Sequence, residues 1–214
     1  MPTVPGEDLA GVITATDYLE RANRAGAANG LRGGSVVVLG GGNVAMDAAR
    51  SAVRLGAEKV TIVYRRGRAE LPACNAELHE AEGEGVRFIF LASPTAILGD
   101  ADGHVRAVRC TRMALGEPDD SGRPRPVPTG EAPEVEADHV VIALGSGAEP
   151  WLAATNPGLA VDGLARPIVD ERGATSMPGV YAGGDIVRGA ATVVEAVGDG
   201  MRAAEAIEGD LRKG

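Results

Sequence analysis

Aromatic residues are scarce in this sequence: one Trp, three Tyr and two Phe among 214 residues. A core without large rings has to be built from Val, Ile, Leu and Ala, as in parallel sheets covered by helices. Cysteine is nearly absent as well. Cys74 and Cys110 are the only two, and they form no C-x-x-C pair. That disfavours a disulfide-stapled secreted domain and a thioredoxin-reductase-like disulfide reductase; a reduced cytoplasmic setting fits, with both thiols structural. Positive charge is in deficit, with 21 Lys and Arg against 30 Asp and Glu and a formal net charge of −9. General affinity for nucleic acid or an anionic membrane is excluded, since both need a basic surface. No apolar run approaches the roughly 20 residues of a membrane span. The opening MPTVPGEDLAGV has no basic segment followed by an apolar stretch, so no signal peptide is expected. His79, His104 and His139 fall in no metal-ligand or triad pattern, and surface or packing roles are expected for each.

Glycine is what the chain has in excess, 31 residues against a typical share of about 7%. Its placement follows the rhythm of an α/β fold. Residues 1–12 read as extended, and Thr14 to Ala25 as a helix capped by Thr14 or Thr16. Asn29 to Gly34 is a turn. Ser35 to Leu39 is a buried strand, Asn43 to Leu55 a helix ended by Gly56, and Lys59 to Tyr64 a second strand, a unit that pairs in parallel. Pro72 to Glu82 reads as a helix and Val86 to Leu91 as a third strand. Thr95 to Leu98, His104 to Leu115 and Glu134 to Glu136 read as an antiparallel β insert. Residues 116–133, rich in Pro, Gly and charge, read as a mobile hairpin tip. His139 to Leu144 returns to a buried strand. Residues 151–179 read as short strands and turns. Val180 to Ala182 is a strand, and Thr192 to Leu211 a long helix. Its inward stripe is expected from Val193, Val194, Ala196, Val197, Met201, Ala204 and Ile207.

The stretch VVVLGGGNVAMDAAR, residues 36–50, spells Gly40-x-Gly42-x-x-Ala45 between a strand and a helix. Gly40 allows the sharp turn, Gly42 lets a pyrophosphate approach the backbone, and Ala45 lets helix and strand pack closely. The free amides at the helix start complement the phosphate charge. A glycine pattern alone is weak; its strand-to-helix context makes it informative. The next strand ends in VTIVYRRGRAELPA, so Arg65, Arg66 and Arg68 cluster where an adenosine ribose would lie. Guanidinium groups there suit a 2′-phosphate and predict NADP(H) over NAD(H). Residues 179–207, GVYAGGDIVRGAATVVEAVGDGMRAAEAI, look like a second ligand turn. Asp185 could accept a hydrogen bond from a polyol hydroxyl, and the helix start at Ala191 to Val193 could direct amides at a ring oxygen.

GGGNVAMDAAR, VYRRGRAELPA, GEPDDSGRPRPVP, ALG and YAGGD…ATVVEAVGDGMRAAEAI, in that order, resemble the small (β) subunit of NADPH-dependent glutamate synthase and its relatives. The same module occurs in dihydropyrimidine dehydrogenase and ferredoxin-NADP transhydrogenases. The resemblance covers nearly the whole chain; Leu71 stands where the motif usually has Met. It implies a Rossmann-like three-layer NADP-binding domain, with a parallel sheet and an antiparallel β insert, over residues 31–145. Residues 1–30 would be a linker segment and helix, and 146–214 the C-terminal part of an FAD-binding domain. Gly40, Gly42, Asn43 and Val44 would lie at the pyrophosphate, Arg65 and Arg66 at the 2′-phosphate, and Gly145 near the domain boundary. Gly184 and Asp185 would meet the flavin ribityl chain, with Ala191, Thr192 and Val193 at the flavin ring. No general acid, base or metal ligand is expected.

In that family NADPH passes hydride to FAD, and electrons go on through iron–sulfur clusters. The family's cysteine-rich region and first glycine-rich turn are not in this sequence. FAD binding is therefore expected only where a missing N-terminal FAD/iron–sulfur region or a partner subunit, such as a glutamate synthase large subunit, supplies them. A homo-oligomer is left open. So is a second functional class, a catalytically silent nucleotide-binding or assembly module.

Overall fold

A computed structural model describes residues 4–25, 33–119, 122–145, 150–189 and 191–212. The chain divides into two compact units, Met1–Gly145 and Ser146–Gly214.

The first unit is built on a five-stranded parallel sheet of β1 (Val12–Thr14), β2 (Ser35–Leu39), β3 (Lys59–Tyr64), β4 (Arg87–Phe90) and a last strand, His139–Ile142, in the order β1–last–β2–β3–β4. Helices α1 (Ala15–Ala25), α2 (Asn43–Arg54) and α3 (Asn75–Gly83) are interleaved with these strands. Strand β2 shows why its apolar run is unbroken. Val36 and Val38 pack with Ala45, Ala48, Ala49 and Ala52 of α2, Tyr18 of α1 and Ala81 of α3. Val37 and Leu39 point the other way, onto Ala92, Ile97, Val105, Val108 and Cys110. Period-2 alternation therefore buries both faces. Each of these β2 side chains is at most 1% exposed, which stabilises the fold by about 1.5–3 kcal/mol apiece.

The second face is covered by an antiparallel sheet: β5 (Ala92–Gly99), β6 (Val105–Pro118), β7 (Pro124–Glu131) and β8 (Val135–Glu136), with both β7 and β8 pairing to β6. The last parallel strand is thus β9 (His139–Ile142). The chain passes from the parallel to the antiparallel sheet at Leu91, whose φ of 54° turns it sharply. The Leu91 amide donates to the Arg66 carbonyl at 3.0 Å, and its carbonyl accepts from the Met113 amide at 2.8 Å.

Three local expectations are corrected. The 116–133 stretch is largely strand, because β6 runs to Pro118 and β7 begins at Pro124. Pro124, Pro126 and Pro128 fit there because β7 lies at the end of the sheet order, where a missing N–H breaks no ladder. The first residues are more than a linker, since β1 pairs with β9 and Val4 and Leu9 pack in the second core. Pro72 lies outside α3, which starts after Cys74. Most of the Asn29–Gly34 turn lies outside the described residues.

The second unit contains α4 (Pro150–Thr155), α5 (Asp185–Arg188) and α6 (Val193–Leu211), joined by turns and isolated bridges such as Val169 with Thr175 and Ala174 with Tyr181. Apart from Ala196, the expected inward stripe of α6 is wrong: Val193, Val194, Val197 and Met201 are 80%, 81%, 56% and 61% exposed. The buried face carries Asp199 and Ala206, with Ala196 and Ala203 half-buried between their turns. Small residues let α6 lie close to the Gly173 and Gly183 backbones, where a Cβ would come within 3.4 Å of Ala203 and 2.7 Å of Asp199.

Candidate functional site

The glycine turn sits where the sheet order reverses. From β2 the chain steps to β3 and β4 on one side, while β9 and β1 lie on the other. In open α/β sheets the crevice beyond the strand ends at such a point is where ligands bind. Gly40 has φ 142°, and a Cβ there would lie 2.1 Å from the Ala143 carbonyl oxygen at the end of β9. At Gly41 a Cβ would lie 2.6 Å from the Tyr64 ring and 2.8 Å from Leu71. Gly42 differs: the nearest atom to its Cβ position is Pro72 Cγ at 4.0 Å, so the space over it is open.

The start of α2 matches an anion in its electrostatics too. Gly42 is its N-cap, no side chain caps it, and no acidic residue lies in its first turn. Two other helices are capped by side chains, whereas α3, like α2, is not. Thr14 accepts from the Asp17 amide at α1, and a capping box of Thr192 and Glu195 closes α6. An uncapped helix start with exposed Asn43 and Val44 leaves amides for an outside acceptor. The Asn43 Oδ1 accepts from the Cys74 amide at 3.1 Å, and the Gly41 carbonyl from the Ala73 amide at 3.2 Å. These bonds tether the 71–74 segment beside the turn.

The arginines behave differently from one another. Arg65 is exposed and has no hydrogen-bond or ion-pair partner among the described residues. Arg66 is 6% exposed; its guanidinium donates to Asp119 at 2.9 Å and to the Pro124 carbonyl at 2.8 Å. Arg68 pairs with Glu82. The structure thus brings Gly40, Gly42, Asn43 and Val44 together at one strand end. It sets Arg65 and Arg66 at the next and commits Arg66 to the β6–β7 hairpin. Gly145, with φ 103°, is exposed beyond β9. Sequence reasoning missed Tyr64, Asp119 and Arg123, whose roles depend on contacts more than 50 residues away. Cys74, expected to be structural, is exposed beside α3, because its side chain precedes the helix rather than joining its inner face.

In the second unit Gly184 caps α5 with φ 74° and ψ −152°, and Asp185 is exposed. Asp199 of α6 holds this turn. Its carboxylate accepts from the Gly184 amide at 3.0 Å, from Arg188 at 2.5 and 2.7 Å, and from Arg202. The Arg188 guanidinium, then the Gly184 amide, hold its carboxyl well below the usual carboxylate range. A cleft of about 320 Å³ beside it is lined by Asp170, Gly173, Gly183, Arg188, Asp199 and Arg202, among others. Ala191, Thr192 and Val193 are exposed at the start of α6, and the Thr192 amide is taken by Glu195 at 3.0 Å.

The pyridine nucleotide-disulphide oxidoreductase family profile matches residues 1–200. The chain belongs to that family. It is 48% identical to the β subunit of the NADP(+)-dependent formate dehydrogenase of Moorella thermoacetica, over 99% of this chain and 30% of that protein. It is 45% identical to a putative glutamate synthase (NADPH) small chain of Cereibacter sphaeroides, over 95% of this chain and 51% of that protein. The chain spans 30% to 51% of the length of these two relatives. Among solved structures, T. acidophilum thioredoxin reductase superposes with a TM-score of 0.72 at 30% identity, over 97% of this chain and 60% of that one. Mycobacterium tuberculosis FprA in complex with NADPH gives 0.77 at 24% identity, over 100% and 61%, and shares the fold. The architecture is therefore that of this oxidoreductase family, with the parallel sheet and antiparallel insert expected. Among the described residues no helix is long and apolar enough to cross a membrane, and no acidic, His or Cys group could hold a metal ion.

Proposed function

We propose that this chain is the NADP(H)-binding portion of a flavin-dependent oxidoreductase that takes hydride from NADPH to FAD. From there electrons go on to iron–sulfur clusters or a partner subunit. The observation that carries the reading is the uncapped start of α2 under an open Gly42, at the point where the sheet order reverses. The first unit would be the NADP(H) domain and the second the C-terminal part of an FAD domain. Gly40, Gly42, Asn43 and Val44 would hold the pyrophosphate and Arg65 the 2′-phosphate. Gly184, Asp185, Ala191 and Val193 would border the flavin. The dinucleotide and flavin supply the hydride chemistry; the chain's residues bind and align. Its relatives' names favour a glutamate synthase large subunit or a formate dehydrogenase subunit as partner. An exposed free thiol at Cys74 suits a cytoplasmic setting.

The exposed Val193, Val194, Val197 and Met201 support one further element of this reading. We expect that face to be covered by the polypeptide that holds the ADP half of FAD, and the chain by itself to purify without flavin colour. Calorimetric titration tests the core of the reading. Wild type should bind NADPH more tightly than NADH, and Gly42→Val, which fills the open space, should abolish both. Undisturbed NADPH binding by a folded Gly42→Val protein would overturn it.

A further inference from the structure

We infer that the tip of the β6–β7 hairpin is a specificity strap for the coenzyme's 2′-phosphate, held by two opposed arginine clamps; this rests on the NADP(H) reading above. The first clamp runs from the sheet to the hairpin. Arg66, just past β3, donates to Asp119 at 2.9 Å and to the Pro124 carbonyl at 2.8 Å. The second runs from the hairpin to the sheet. Arg123 donates to the Tyr64 hydroxyl at 3.2 Å and to the Glu70 carbonyl at 2.6 Å. Tyr64 itself donates to the Glu70 carbonyl at 2.8 Å, and its ring fills the space a Cβ at Gly41 would need. The tip is tied internally as well: the Asp119 amide donates to the Arg123 carbonyl at 2.8 Å, and the Arg123 amide to Asp119 Oδ1 at 3.2 Å. One run of contacts therefore links the glycine turn, through Tyr64 and Arg123, to the hairpin tip and back to Arg66.

This arrangement divides labour among the arginines. A guanidinium that is 6% exposed and bonded to a carboxylate is already neutralised and desolvated, and releasing it for a phosphate would break its buried ion pair and its bond to the Pro124 carbonyl. Arg65, its neighbour, is exposed and uncommitted. Arg65 is then the group that grips the phosphate. Arg66 and Arg123 are positioning residues: they pin the hairpin against the end of β3 and so fix the backbone from which Arg65 projects. The competing explanation is a hairpin that only packs.

Asp119→Ala separates the readings because Coulomb's law and positioning predict opposite signs. Removing a carboxylate beside a phosphate site strengthens anion binding if the site is otherwise unchanged. Positioning predicts weaker binding. Titrations of the 214-residue chain with NADPH and NADH should show NADPH weakened roughly five- to tenfold and NADH unchanged, with faster amide hydrogen exchange over residues 122–127. Arg123→Gln, at the other clamp, should do the same and covers the case where Asp119→Ala fails to fold. Arg65→Gln should weaken NADPH more than either, with hairpin exchange unaltered. Tighter NADPH binding in Asp119→Ala would make Arg66 the phosphate ligand and overturn the strap. So would unchanged or equally weakened binding of both coenzymes, with the NADP(H) reading left standing. A wild type without preference for NADPH would remove both.

Discussion

The Oδ2 oxygen of Asp199 accepts the Gly184 amide at 3.0 Å across 15 residues of chain, and the same carboxylate receives Arg188 and Arg202. It fastens α6 to the glycine turn. Because these partners favour the charged form, the carboxyl ionises below the ordinary value of 3.8. Its contribution to stability is fully present above that value and is lost as pH falls through the lower folded-state pKa. Asp199→Asn should therefore lower the Tm by several degrees at pH 7, by the same amount down to about pH 4, and by less in stronger acid. Thermal melts from pH 2 to 7 check this. A difference that narrows already above pH 5 would show that another group holds the turn.

Three consecutive glycines should respond in three ways. Gly40→Ala combines a φ of 142° with a Cβ 2.1 Å from the Ala143 carbonyl, and should cost roughly 2–5 kcal/mol. Gly41→Ala meets the Tyr64 ring and Leu71 side chain and should cost about 1–3 kcal/mol. Gly42→Ala has φ −86° and open space, so stability should move by about 0.5 kcal/mol either way, the loss at the N-cap offset by a stiffer unfolded chain. Urea melts rank the three. Any order other than Gly40, Gly41, Gly42 in severity contradicts the geometry.

Much of this architecture was legible because it is local. The run from Val36 to Leu39, the alanines at 45, 48, 49 and 52, and Gly56 each announce their element within a few residues. The antiparallel insert showed through its run of short strands broken by turns. What stayed hidden was set at long range or by edge position. The prolines of β7 read as a loop because nothing nearby says the strand has a free edge. Arg66 read as a ligand of the 2′-phosphate because its partner Asp119 lies 53 residues away. Helix α6 carries two candidate faces, one of bulky aliphatics and one of Ala and Asp. Hydrophobicity favours the first, whereas the close approach of the Gly173 and Gly183 backbones selects the second.

That choice of face can be tested by one substitution on each. Val197→Glu lies on the exposed side and should change stability by no more than about 0.5 kcal/mol. Ala206→Glu places a charge at a site only 6% exposed, near the Ala206 carbonyl that accepts from Arg172, and should cost about 3 kcal/mol or more. Denaturant melts followed by circular dichroism distinguish them. Loss of the second unit's helix signal in Val197→Glu, with Ala206→Glu unaffected, would reverse the assignment.

The two cysteines should differ in reactivity by position alone. Burial leaves Cys110 3% exposed and pushes its thiol up to about 11, so little thiolate exists at neutral pH and no reagent reaches it. Cys74 is exposed at the start of α3, its amide bonded to Asn43 beside the open Gly42. In native protein a chromogenic disulfide reagent should therefore consume Cys74 readily and Cys110 only after denaturant is added. Saturating NADPH should slow the Cys74 reaction, since the pyrophosphate proposed to lie over Gly42 would crowd the approach to it. Mass spectrometry of the labelled peptides assigns each thiol. Protection of Cys74 by adenosine 2′,5′-bisphosphate as strong as that by NADPH would move the crowding from the pyrophosphate to the ribose end.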